Sequence, residues 1–587
     1  MSSNQHTQWA VRDPVPPEAE EALSFYPELQ RHLLWHRGVT THDAADRFLH
    51  PSYERDLHDP FLILNMEKAV KRILKAIKKR EKIVIYGDYD CDGIPGSVAL
   101  FGFFRKINYE HCNVYIPHRY KEGYGLNSLA IKQFSDDGVD LVITVDNGIT
   151  DAEQVLLANE LGLDIVITDH HLLPRKSNGA GEIEEFVPEA HAVINSKQKE
   201  DSYPFDLLCG AGVAFKLVQA LIKKGSFDIN KGWEKWLLDV VGISTIADMV
   251  PLHGENRVLA YYGLKVLQKT ERPGLSHLLR RMNVKREHLN EDDVGFSIAP
   301  VINAASRLGT PMDGFHMLAA EDLGEGTAIA EMLYKLNKER KLAVVSMLAD
   351  AEEMVAFSCV IFERDDTNSS PVIVVGRPEW KPGLLGLVAN TLMEKYRRPV
   401  FAWGKEGSKE IKGSCRSDGS VSVVDLMATA GDVFTEKGGH ERAGGFSCTD
   451  EQVASLESAL NEAHKTLMST HLDIVSPSKF VDARLELDQV TWETYGQIEA
   501  LAPFGVGNEK PLFLFEKITV ASSKLFGKEK NHLQLGFKRN DGTPISAIKF
   551  FCTQEIPLGQ KVNLLAHLEK SVFGWKPELR LRIVEVR

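Results

Sequence analysis

Residues 82–107 read KIVIYGDYDCDGIPGSVALFGFFRKI, and the fold prediction depends on this stretch. A short apolar, β-branched run comes first, three alternating aspartates follow, and an apolar helix-like segment comes last. Such a run is typical of a strand buried on both faces, and the segment behind it is typical of a crossover helix. The stretch therefore predicts a strand–turn–helix unit of a parallel sheet, with the aspartates at the carboxyl end of the strand.

The same pattern recurs downstream. NVYIP (113–117), DLVITVD (140–146) and DIVITD (164–169) are further short apolar runs, separated by stretches long enough for a helix. Strands that alternate with helices in this way predict the α/β fold class, here a doubly wound parallel sheet. A preceding helix is predicted by apolar residues that share one face, namely Met66, Val70, Ile73, Leu74 and Ile77.

The remaining sequence indicates further domains, since 587 residues far exceed one domain of about 150. A long stretch near 318–354 predicts a connector helix, and a second α/β pattern begins at PVIVVGRPEW (371–380). From about residue 475 short alternating runs predict a small β-barrel or sandwich. The expected parts are residues 1–59, 60–265, 266–354, 355–465 and 475–587.

Composition excludes several classes of protein. With 43% hydrophobic and 26% charged residues, the chain is neither a disordered nor a collagen-like nor a coiled-coil protein. We expect a cytoplasmic protein without a membrane partner, because no apolar run is long enough to span a bilayer and no signal segment is visible. Seven scattered cysteines, never spaced as CxxC, indicate neither a disulfide framework nor a cysteine zinc site.

Acidic residues follow three of the predicted strands. Because the carboxyl ends of parallel strands lie along one edge of a sheet, we expect these side chains to converge. The alternative is that each aspartate only caps the following helix. Capping requires no histidine pair, whereas clustered carboxylates repel one another unless a cation lies between them. We therefore predict a centre for two divalent metal ions, Mn²⁺ or Mg²⁺, built from Asp88, Asp90, Asp92, Asp146, Asp169, His170, His171 and Asp248.

These residues also carry a family resemblance. DYDCDG (88–93), VDNG (145–148), DHH (169–171) and ADMVPL (247–252) resemble, in this order, the motifs of the DHH phosphoesterase superfamily. IPHRYKEGYGLN, LCGAGVAFKL, INAASRLG, GSCRS, GGHERAGG and APFGVGNEKP extend the likeness along nearly the whole chain, to the RecJ family of single-strand-specific exonucleases. The resemblance implies a DHH domain over 60–265, a DHHA1 domain over 355–465 and an OB-fold in the tail.

The resemblance also implies catalytic roles. His171 would contact the scissile phosphate or protonate the leaving oxygen, and Asp169 belongs to the same catalytic triplet. Asp88 would act as a metal ligand or position the residues that bind the metal. Asp146 would bridge the two ions, and the implied metal ligands are Asp90, Asp92, Asp146, His170 and Asp248.

A second set of residues is implied to bind substrate. Arg307, Ser414 and Arg416 resemble a pocket for a 5′-terminal phosphate, and a guanidinium fork suits that dianion. Without the family, each arginine is more simply a surface ion pair, and GGHERAGG (438–445) is a tight turn with a core histidine. The implied set is Arg119, Arg307, Ser414, Arg416, Gly438, Gly439 and His440.

The tail has the composition of a surface that binds single strands. Residues 517–587 contain 13 Lys and Arg against 6 Asp and Glu, although the whole chain carries a net charge of −13. Basic residues that alternate with aromatic ones attract a nucleic-acid backbone and stack on its bases. Half or more of these aromatics are expected in the core of the domain: Phe526, Phe537, Phe550, Phe551, Phe573 and Trp575.

Two positions depart from the family pattern. Pro95 stands where a small hydroxylated residue is usual, and because proline is tolerated in a first helical turn we expect little effect. Lys381 stands where a histidine is usual, which weakens any role for that segment. GAG (210–212) lacks the third glycine of a dinucleotide fingerprint, and GxxxxGK[ST] is missing, so neither NAD nor ATP is indicated.

The resemblance implies a metal-dependent, single-strand-specific 5′–3′ DNA exonuclease that releases 5′-mononucleotides in recombination and repair. It further implies a monomer, with single-strand binding protein and a RecQ-type helicase as partners. One alternative is a DHH oligoribonuclease, cyclic-dinucleotide phosphodiesterase or pyrophosphatase, which the basic tail and the chain length oppose. The other is a non-catalytic DHH scaffold that binds single strands, which the complete ligand set opposes.

Overall fold

The computed structural model describes residues 9–177, 183–361, 370–470, 479–572 and 576–587. None of the helices in these ranges is long and apolar enough to cross a bilayer. The N-terminal segment contains one short strand and four helices: β1 (Trp9–Val11), α1 (Pro17–Ala22), α2 (Glu28–Trp35), α3 (His42–Leu49) and α4 (Tyr53–Asp56).

The first domain is built on a five-stranded parallel sheet. The strands are β2 (Ile83–Gly87), β3 (Cys112–Tyr115), β4 (Leu141–Val145), β5 (Asp164–Thr168) and β8 (Ala192–Ile194), in the order β3-β2-β4-β5-β8. A separate antiparallel pair is formed by β6 (Arg175–Ser177) and β7 (Ile183–Glu185). The helices are α5 (Met66–Lys79), α6 (Gly93–Lys106), α7 (Ser128–Asp136), α8 (Ala152–Glu160), α9 (Gly210–Lys224), α10 (Leu238–Ala247) and α11 (Gly254–Leu267).

Burial explains why the central strands are mostly apolar. All five residues of β2, and all five of β4, are buried. Ile85 packs on the side of α5, α6 and α9, whereas Val84 packs on the side of α7 and α8. Because both faces of the sheet are covered, apolar side chains stabilise both. The predicted doubly wound parallel sheet is confirmed, and its carboxyl edge is left open for a site.

Helices connect this domain to a second sheet. They are α12 (Pro273–Arg281), α13 (Glu291–Asp293), a π-helical turn (Val294–Ile298), α14 (Ala299–Leu308), α15 (Pro311–Ala319) and the 39-residue α16 (Leu323–Ile361). The predicted long connector is therefore present as α16. It begins after a break in which Asp322 Oδ1 accepts the N–H of Glu325 at 2.8 Å.

The second α/β domain has a mixed five-stranded sheet in the order β12-β13-β11-β10-β9. The strands are β9 (Ile373–Arg377), β10 (Val400–Gly404), β11 (Ile411–Arg416), β12 (Glu436–His440) and β13 (Ala443–Cys448). The helices are α17 (Pro382–Tyr396), α18 (Val423–Thr429) and α19 (Asp450–Thr470). The predicted second α/β pattern is confirmed.

The tail is β-rich, as predicted. Its elements are β14 (Lys479–Val481), β15 (Ala483–Arg484), α20 (Trp492–Glu499), β16 (Phe513–Thr519), β17 (Ser522–Phe526), β18 (His532–Lys538), β19 (Pro544–Lys549), β20 (Lys561–Ser571) and β21 (Glu578–Val586). Seven of them form one sheet, β15-β16-β20-β21-β19-β18-β17. Its two edge strands do not pair with each other in the described residues, so the hydrogen bonds do not close into a ring.

The N-terminal segment packs on the tail, which no sequence pattern indicated. β1 pairs in parallel with β14, and Trp9 stands opposite Lys479 in the register. Leu33 and Phe48 join one hydrophobic core with Phe513 and Phe537. Residues that are more than 430 positions apart in the sequence thus form a single unit.

Candidate metal centre

The predicted metal ligands converge at the carboxyl edge of the first sheet. The turn after β2 supplies three aspartates, the turn after β4 supplies one, and the turn after β5 supplies the histidine pair. Asp248 comes from the residue that directly follows α10. These residues are Asp88, Asp90, Asp92, Asp146, His170, His171 and Asp248.

Asp146 and His170 lie at the centre of the cluster. His170 Nε2 lies 3.2 Å from Asp146 Oδ1, 3.5 Å from Asp92 Oδ2 and 3.8 Å from Asp248 Oδ2. Asp146 also belongs to a neighbouring group with Asp88 and Asp90, in which the possible ligand atoms lie within 4.8 Å of one another. One carboxylate is thus shared between two potential metal sites.

Two buried oxygens show that the cluster fits cations. Asp88 Oδ1 and Asp146 Oδ1 have no hydrogen-bond partner, although Asp146 Oδ1 lies close to His170. Burial raises the pKa of both carboxyls well above the usual range. Repulsion between carboxylates adds to the shift, from Asp90 at Asp88 and from Asp92 at Asp146. A divalent cation removes both penalties, and carboxylate oxygens with an imidazole suit Mn²⁺ and Mg²⁺.

The first turn of α9 holds the cluster in place. Asp92 accepts the backbone N–H groups of Gly210 at 2.6 Å and Ala211 at 2.7 Å, and the hydroxyl of Ser244. A Cβ on Gly210 would lie 2.5 Å from Asp146 Cβ, so only glycine fits there. Sequence reasoning missed these supporting residues. The available signal was GAG at the start of an apolar helix, because small residues allow close backbone approach.

Two aspartates at this edge also accept backbone N–H groups. Asp90 Oδ1 accepts the N–H of Asp92 at 2.7 Å and that of Gly93 at 3.3 Å, at the start of α6. Asp169 is fully buried, and its two oxygens accept the N–H groups of Ile149 and His170 at 3.0 and 2.7 Å. Asp90 thus accepts an N–H group from the first turn of α6, as the capping interpretation predicts, whereas Asp169 binds turn residues outside the helices.

Asp169 also fixes the ring of His171. Asp169 Oδ1 lies 2.7 Å from His171 Nδ1, and the hydroxyl of Tyr124 lies 3.1 Å from the same nitrogen. Although burial opposes the charged ring, the hydrogen bond to Asp169 raises the pKa of His171 to about 9. The pKa of His170 moves the other way because burial dominates there. The two neighbouring histidines thus favour different charge states, and a neutral imidazole is the form that binds metal.

Two predicted substrate arginines lie near carboxylates of this cluster, Arg119 by Asp88 and Arg307 by Asp90, and a third, Arg416, lies near Arg119. Burial, and to a smaller extent repulsion from Arg119, lowers the pKa of Arg307 to about 10. Burial also lowers the pKa of Arg416, and repulsion from Arg119 adds to that shift. The guanidinium of Arg119 lies 4.8 Å above the ring of Tyr89. Within the described residues none of the three forms an ion pair, so the simpler interpretation as surface ion pairs is wrong for them.

The other predicted substrate residues lie on the second domain. A Cβ on Gly386 of α17 would lie 2.9 Å from Arg416 Nη2 and 3.2 Å from Ser414 Oγ, so these two side chains are neighbours. The register aligns Arg416 with Ala443 and His440, and Ser414 with Gly445 and Gly438. Strand β12, which contains Gly438, Gly439 and His440, is exposed along its length, so His440 is not a core histidine.

The two residues that depart from the family pattern have the following surroundings. Pro95 is buried in the first turn of α6, where a proline is tolerated. Lys381 precedes α17, and its Nζ lies 3.9 Å from Glu406.

The tail aromatics divide into core and surface. Phe537 is fully buried, whereas Phe551 is 86% exposed and its φ of 54° is unusual for a bulky residue. The ring of His532 lies 5.3 to 5.4 Å from the rings of Phe526, Phe550 and Phe551. Phe573 and Trp575 lie outside the described residues.

A groove of about 770 Å³ runs from Ala247 and Met249, the neighbours of Asp248 in the sequence, to residues of the tail. It begins at Met249, which directly follows Asp248 and is 68% exposed, and Phe296 in the π-helical turn is 75% exposed. Its lining carries both charges: the arginines are Arg307, Arg340 and Arg582, the carboxylates are Glu291, Asp292 and Glu509, and Lys510 is paired with Asp292 at 2.8 Å. The guanidinium of Arg582 lies 5.6 Å over the ring of Phe550.

Family models match three parts of the chain. They are the DHH family N-terminal domain over residues 82–245, the DHHA1 domain over 369–468 and the RecJ OB domain over 481–585. The single-stranded-DNA-specific exonuclease RecJ of Bacillus subtilis (strain 168) is 35% identical, over 98% of this chain and 70% of its own. That of Haemophilus influenzae is 29% identical, over 90% of each chain.

Solved structures agree with these matches. RecJ from Thermus thermophilus in complex with Mn²⁺ superposes with a TM-score of 0.78 at 25% identity, covering 99% of this chain and 79% of that one. A second exonuclease RecJ bound to manganese gives 0.57 at 28% identity, covering 69% and 95%. With three domains in the same order and this degree of identity along the whole chain, the protein belongs to the RecJ family of the DHH superfamily.

Proposed function

We propose that this chain is a metal-dependent, single-strand-specific exonuclease that degrades DNA from the 5′ end and releases 5′-mononucleotides. The observation that carries the proposal is the position of Arg119 and Arg307 near Asp88 and Asp90, with Arg416 near Arg119 and no ion-pair partner for any of the three in the described residues. A phosphodiester needs both a metal centre and cations for its phosphates. The names of the two bacterial relatives support single-stranded DNA as the substrate.

Two metal sites that share Asp146 account best for the donor set. The manganese in the Thermus structure supports Mn²⁺ for this chain, and carboxylate oxygens also suit Mg²⁺. Two divalent cations bound there would lower the pKa of a water molecule and stabilise the leaving oxyanion. The proposed ligands are Asp90, Asp92, Asp146, His170 and Asp248, with Asp88 as a further ligand or a support.

His171 is proposed to contact the scissile phosphate or the leaving oxygen rather than to bind a metal. Asp169 and Tyr124 both lie at its Nδ1, so Nε2 is the atom left for a substrate. With Nδ1 directed at Asp169, the ring can hold a proton at Nε2 and donate it to a phosphate or leaving oxygen. Asp169 is a positioning residue in this proposal, because its oxygens are already engaged.

The arginines support the 5′ polarity. A terminal phosphate carries more negative charge than an internal one, and Arg119, Arg307 and Arg416 with Ser414 offer donors that form no ion pair with a described residue. Bound there, the 5′ terminus would lie beside the metal centre. The cut would then release the terminal nucleotide.

The single strand is proposed to leave through the groove. The exposed ring of Phe296 suits base stacking, Met249 adds an apolar contact, and the arginines Arg307, Arg340 and Arg582 suit the backbone. The path continues past Arg582 to Phe550 and Phe551 of the OB domain. Gly438, Gly439 and His440 offer a second exposed surface, where glycines permit close approach of a phosphate.

Replacement of Asp146 tests the proposal. Asn keeps the size of Asp146 and tolerates its φ of 65°, but removes the shared charge. Nucleotide release from 5′-phosphorylated single strands with Mn²⁺ should fall at least about a thousandfold, since both proposed ions lose a ligand. Duplex DNA of the same sequence should stay intact with either protein. Asp136→Asn, at the exposed end of α7, is the matched control and should retain full activity.

Other outcomes would favour the alternatives. Cleavage confined to dinucleotides would favour a small-substrate DHH enzyme, and binding of strands without any cleavage would favour a scaffold. Release of internal fragments in place of mononucleotides would contradict the exonuclease itself.

Further properties are proposals that rest on family membership. They are a role in recombination and repair, a monomeric state, a cytoplasmic location, and single-strand binding protein and a RecQ-type helicase as partners. We also propose domain limits at 60–265, 355–465 and 475–587. Light scattering and pull-down of the purified proteins would test the oligomeric state and the partners.

A further inference from the structure

The first sheet has an open edge away from the metal centre. β3 is the edge strand of that sheet, and within the described ranges it pairs only with β2. The backbone groups on its outer side are a template for another strand. A groove of about 1570 Å³ runs along this edge, lined by Cys112, Asn113 and Val114 of β3. We call it the edge groove.

Aromatic side chains form the wall of the edge groove. Phe101 lies on α6, and Trp233 and Trp236 lie in the 3-10 turn before α10. Trp236 is 56% exposed, and Lys106 Nζ lies 6.0 Å over the ring of Trp233. Exposed tryptophans are enriched where proteins bind other proteins, because they bury much area at small entropic cost.

The rim of the edge groove is acidic. Arg105 pairs with Glu321, and Arg272 pairs with Asp239 at 2.9 Å. Four further carboxylates of the lining have no ion-pair partner among the described residues: Glu110, Glu271, Asp322 and Glu325. Among the described lining residues, Lys106 is the one Lys or Arg without an ion-pair partner to set against them. The unpaired negative charge of the rim therefore repels nucleic acid and attracts a basic partner.

The edge groove is separate from the site that the proposed function uses. α6 begins at Gly93, beside Asp92, and ends at Lys106 in the groove wall. Its 14 residues span about 21 Å at 1.5 Å each. The groove thus lies at the amino ends of the strands, whereas the metal centre lies at their carboxyl ends.

We propose that the edge groove binds an extended segment of a partner protein, in which basic residues flank one aromatic residue. The segment adds as a strand beside β3, its aromatic side chain packs against Trp233 and Trp236, and its basic residues face the acidic rim. This surface tethers the protein to another protein while leaving the metal centre and the strand-binding groove free.

A synthetic peptide tests the proposal. The probe is a fluorescein-labelled peptide in which lysine alternates with valine around one central tryptophan, and anisotropy reports its binding to the full chain. A peptide with glutamate in place of lysine is the charge control. The variants are Trp236→Ala and the double replacement Glu271→Lys with Glu325→Lys. Their matched controls lie on α20 of the OB domain, Trp492→Ala and Glu493→Lys.

The basic peptide should bind, and Trp236→Ala and the charge reversal should each weaken binding at least about tenfold. The α20 controls should bind as the wild type does. Peptide addition should also slow hydrogen exchange of the β3 amides, and all variants should keep wild-type release of nucleotides from single strands. Equal binding of the glutamate peptide, insensitivity to both variants, or displacement by a single-stranded oligonucleotide would overturn the proposal.

Discussion

Arg119 repels both Arg307 and Arg416, and none of the three is in an ion pair with a described residue. Burying a guanidinium without a counter-charge costs free energy, so such an arrangement persists where a ligand compensates it. A phosphate of the substrate proposed for the neighbouring metal centre would supply this compensating charge. At the scale of residues, the proposed substrate would supply the counter-charge that these guanidinium groups lack among the described residues.

The first prediction concerns Arg416. Arg416→Lys keeps the charge but removes the fork that binds two phosphate oxygens. The preference for a 5′-phosphorylated strand over a 5′-hydroxyl strand should fall about tenfold, as measured by kcat/KM on the two substrates. Arg377→Lys, at the exposed end of β9, is the control and should keep the preference. An unchanged preference in Arg416→Lys would remove this residue from the phosphate site.

The second prediction concerns pH and Asp151. Burial raises the pKa of Asp151 to about 6, while its Oδ2 accepts the N–H of Leu126 at 2.8 Å. Because the folded-state pKa exceeds the unfolded value of about 3.8, its contribution to stability is fully present below pH 4 and is lost as the pH rises through about 6. Asp151→Asn keeps the acceptor oxygen and removes the charge. The variant should gain up to about 3 kcal/mol over the wild type at pH 7 and nothing at pH 4.

Urea unfolding of both proteins between pH 4 and pH 7 measures this difference. Asp136→Asn, an exposed replacement, should show a difference that does not change with pH. A difference for Asp151→Asn that is flat across the range would contradict the burial argument.

At the scale of elements, the first turn of α9 supports the metal centre although it supplies no ligand. Its free N–H groups hold Asp92, and its first residue has no Cβ to displace Asp146. Free N–H groups at a helix start favour a carboxylate. The helix thereby fixes the spacing between the turns after β2 and β4.

The third prediction compares two glycines of this helix. Gly210→Ala places a Cβ 2.5 Å from Asp146 Cβ, whereas in Gly212→Ala the nearest atom is Leu208 Cβ at 3.4 Å. Mn²⁺ affinity, measured by calorimetry, should fall at least about tenfold in Gly210→Ala, because a supporting contact is disturbed. Gly212→Ala should bind Mn²⁺ as the wild type does. Equal affinities in both variants would show that Asp146 can shift without loss.

At the scale of the whole molecule, one arginine joins three parts of the chain. Arg257 of α11 is buried, stacks 3.8 Å over the ring of Phe48, and donates to the carbonyl oxygens of Phe48 and Ala502 at 2.7 and 2.9 Å. Burial, followed by repulsion from Arg37, lowers its pKa to about 9. The N-terminal segment, the DHH domain and the start of the OB domain therefore meet at this guanidinium.

The fourth prediction follows from this junction. Arg257→Met fills the space but leaves buried carbonyls without donors, at a cost of about 1–3 kcal/mol. Thermal unfolding should separate into two transitions, with the unit of N-terminal segment and OB domain melting first. Lys265→Met, on the exposed side of the same helix, is the control and should melt like the wild type. A single unshifted transition in Arg257→Met would show that other contacts join the parts.

Local sequence determined the fold class and most of the site. Apolar runs bounded by turns are sufficient to predict strands, and strand ends are sufficient to place Asp88, Asp146 and His170 on one edge. The motif order was sufficient to indicate the family. These features depend on neighbours in the sequence, and a sequence displays them directly.

Only the tertiary structure decided which distant residues support that site. The role of Gly210 depends on the position of Asp146, 64 residues earlier, and that of Arg257 depends on a carbonyl 245 residues later. It also decided that Phe537 is core while Phe551 is surface, and that the N-terminal segment packs on the OB domain. The physical reason is that packing and burial are set by contacts between remote parts of the chain, which leave no periodic pattern in the sequence.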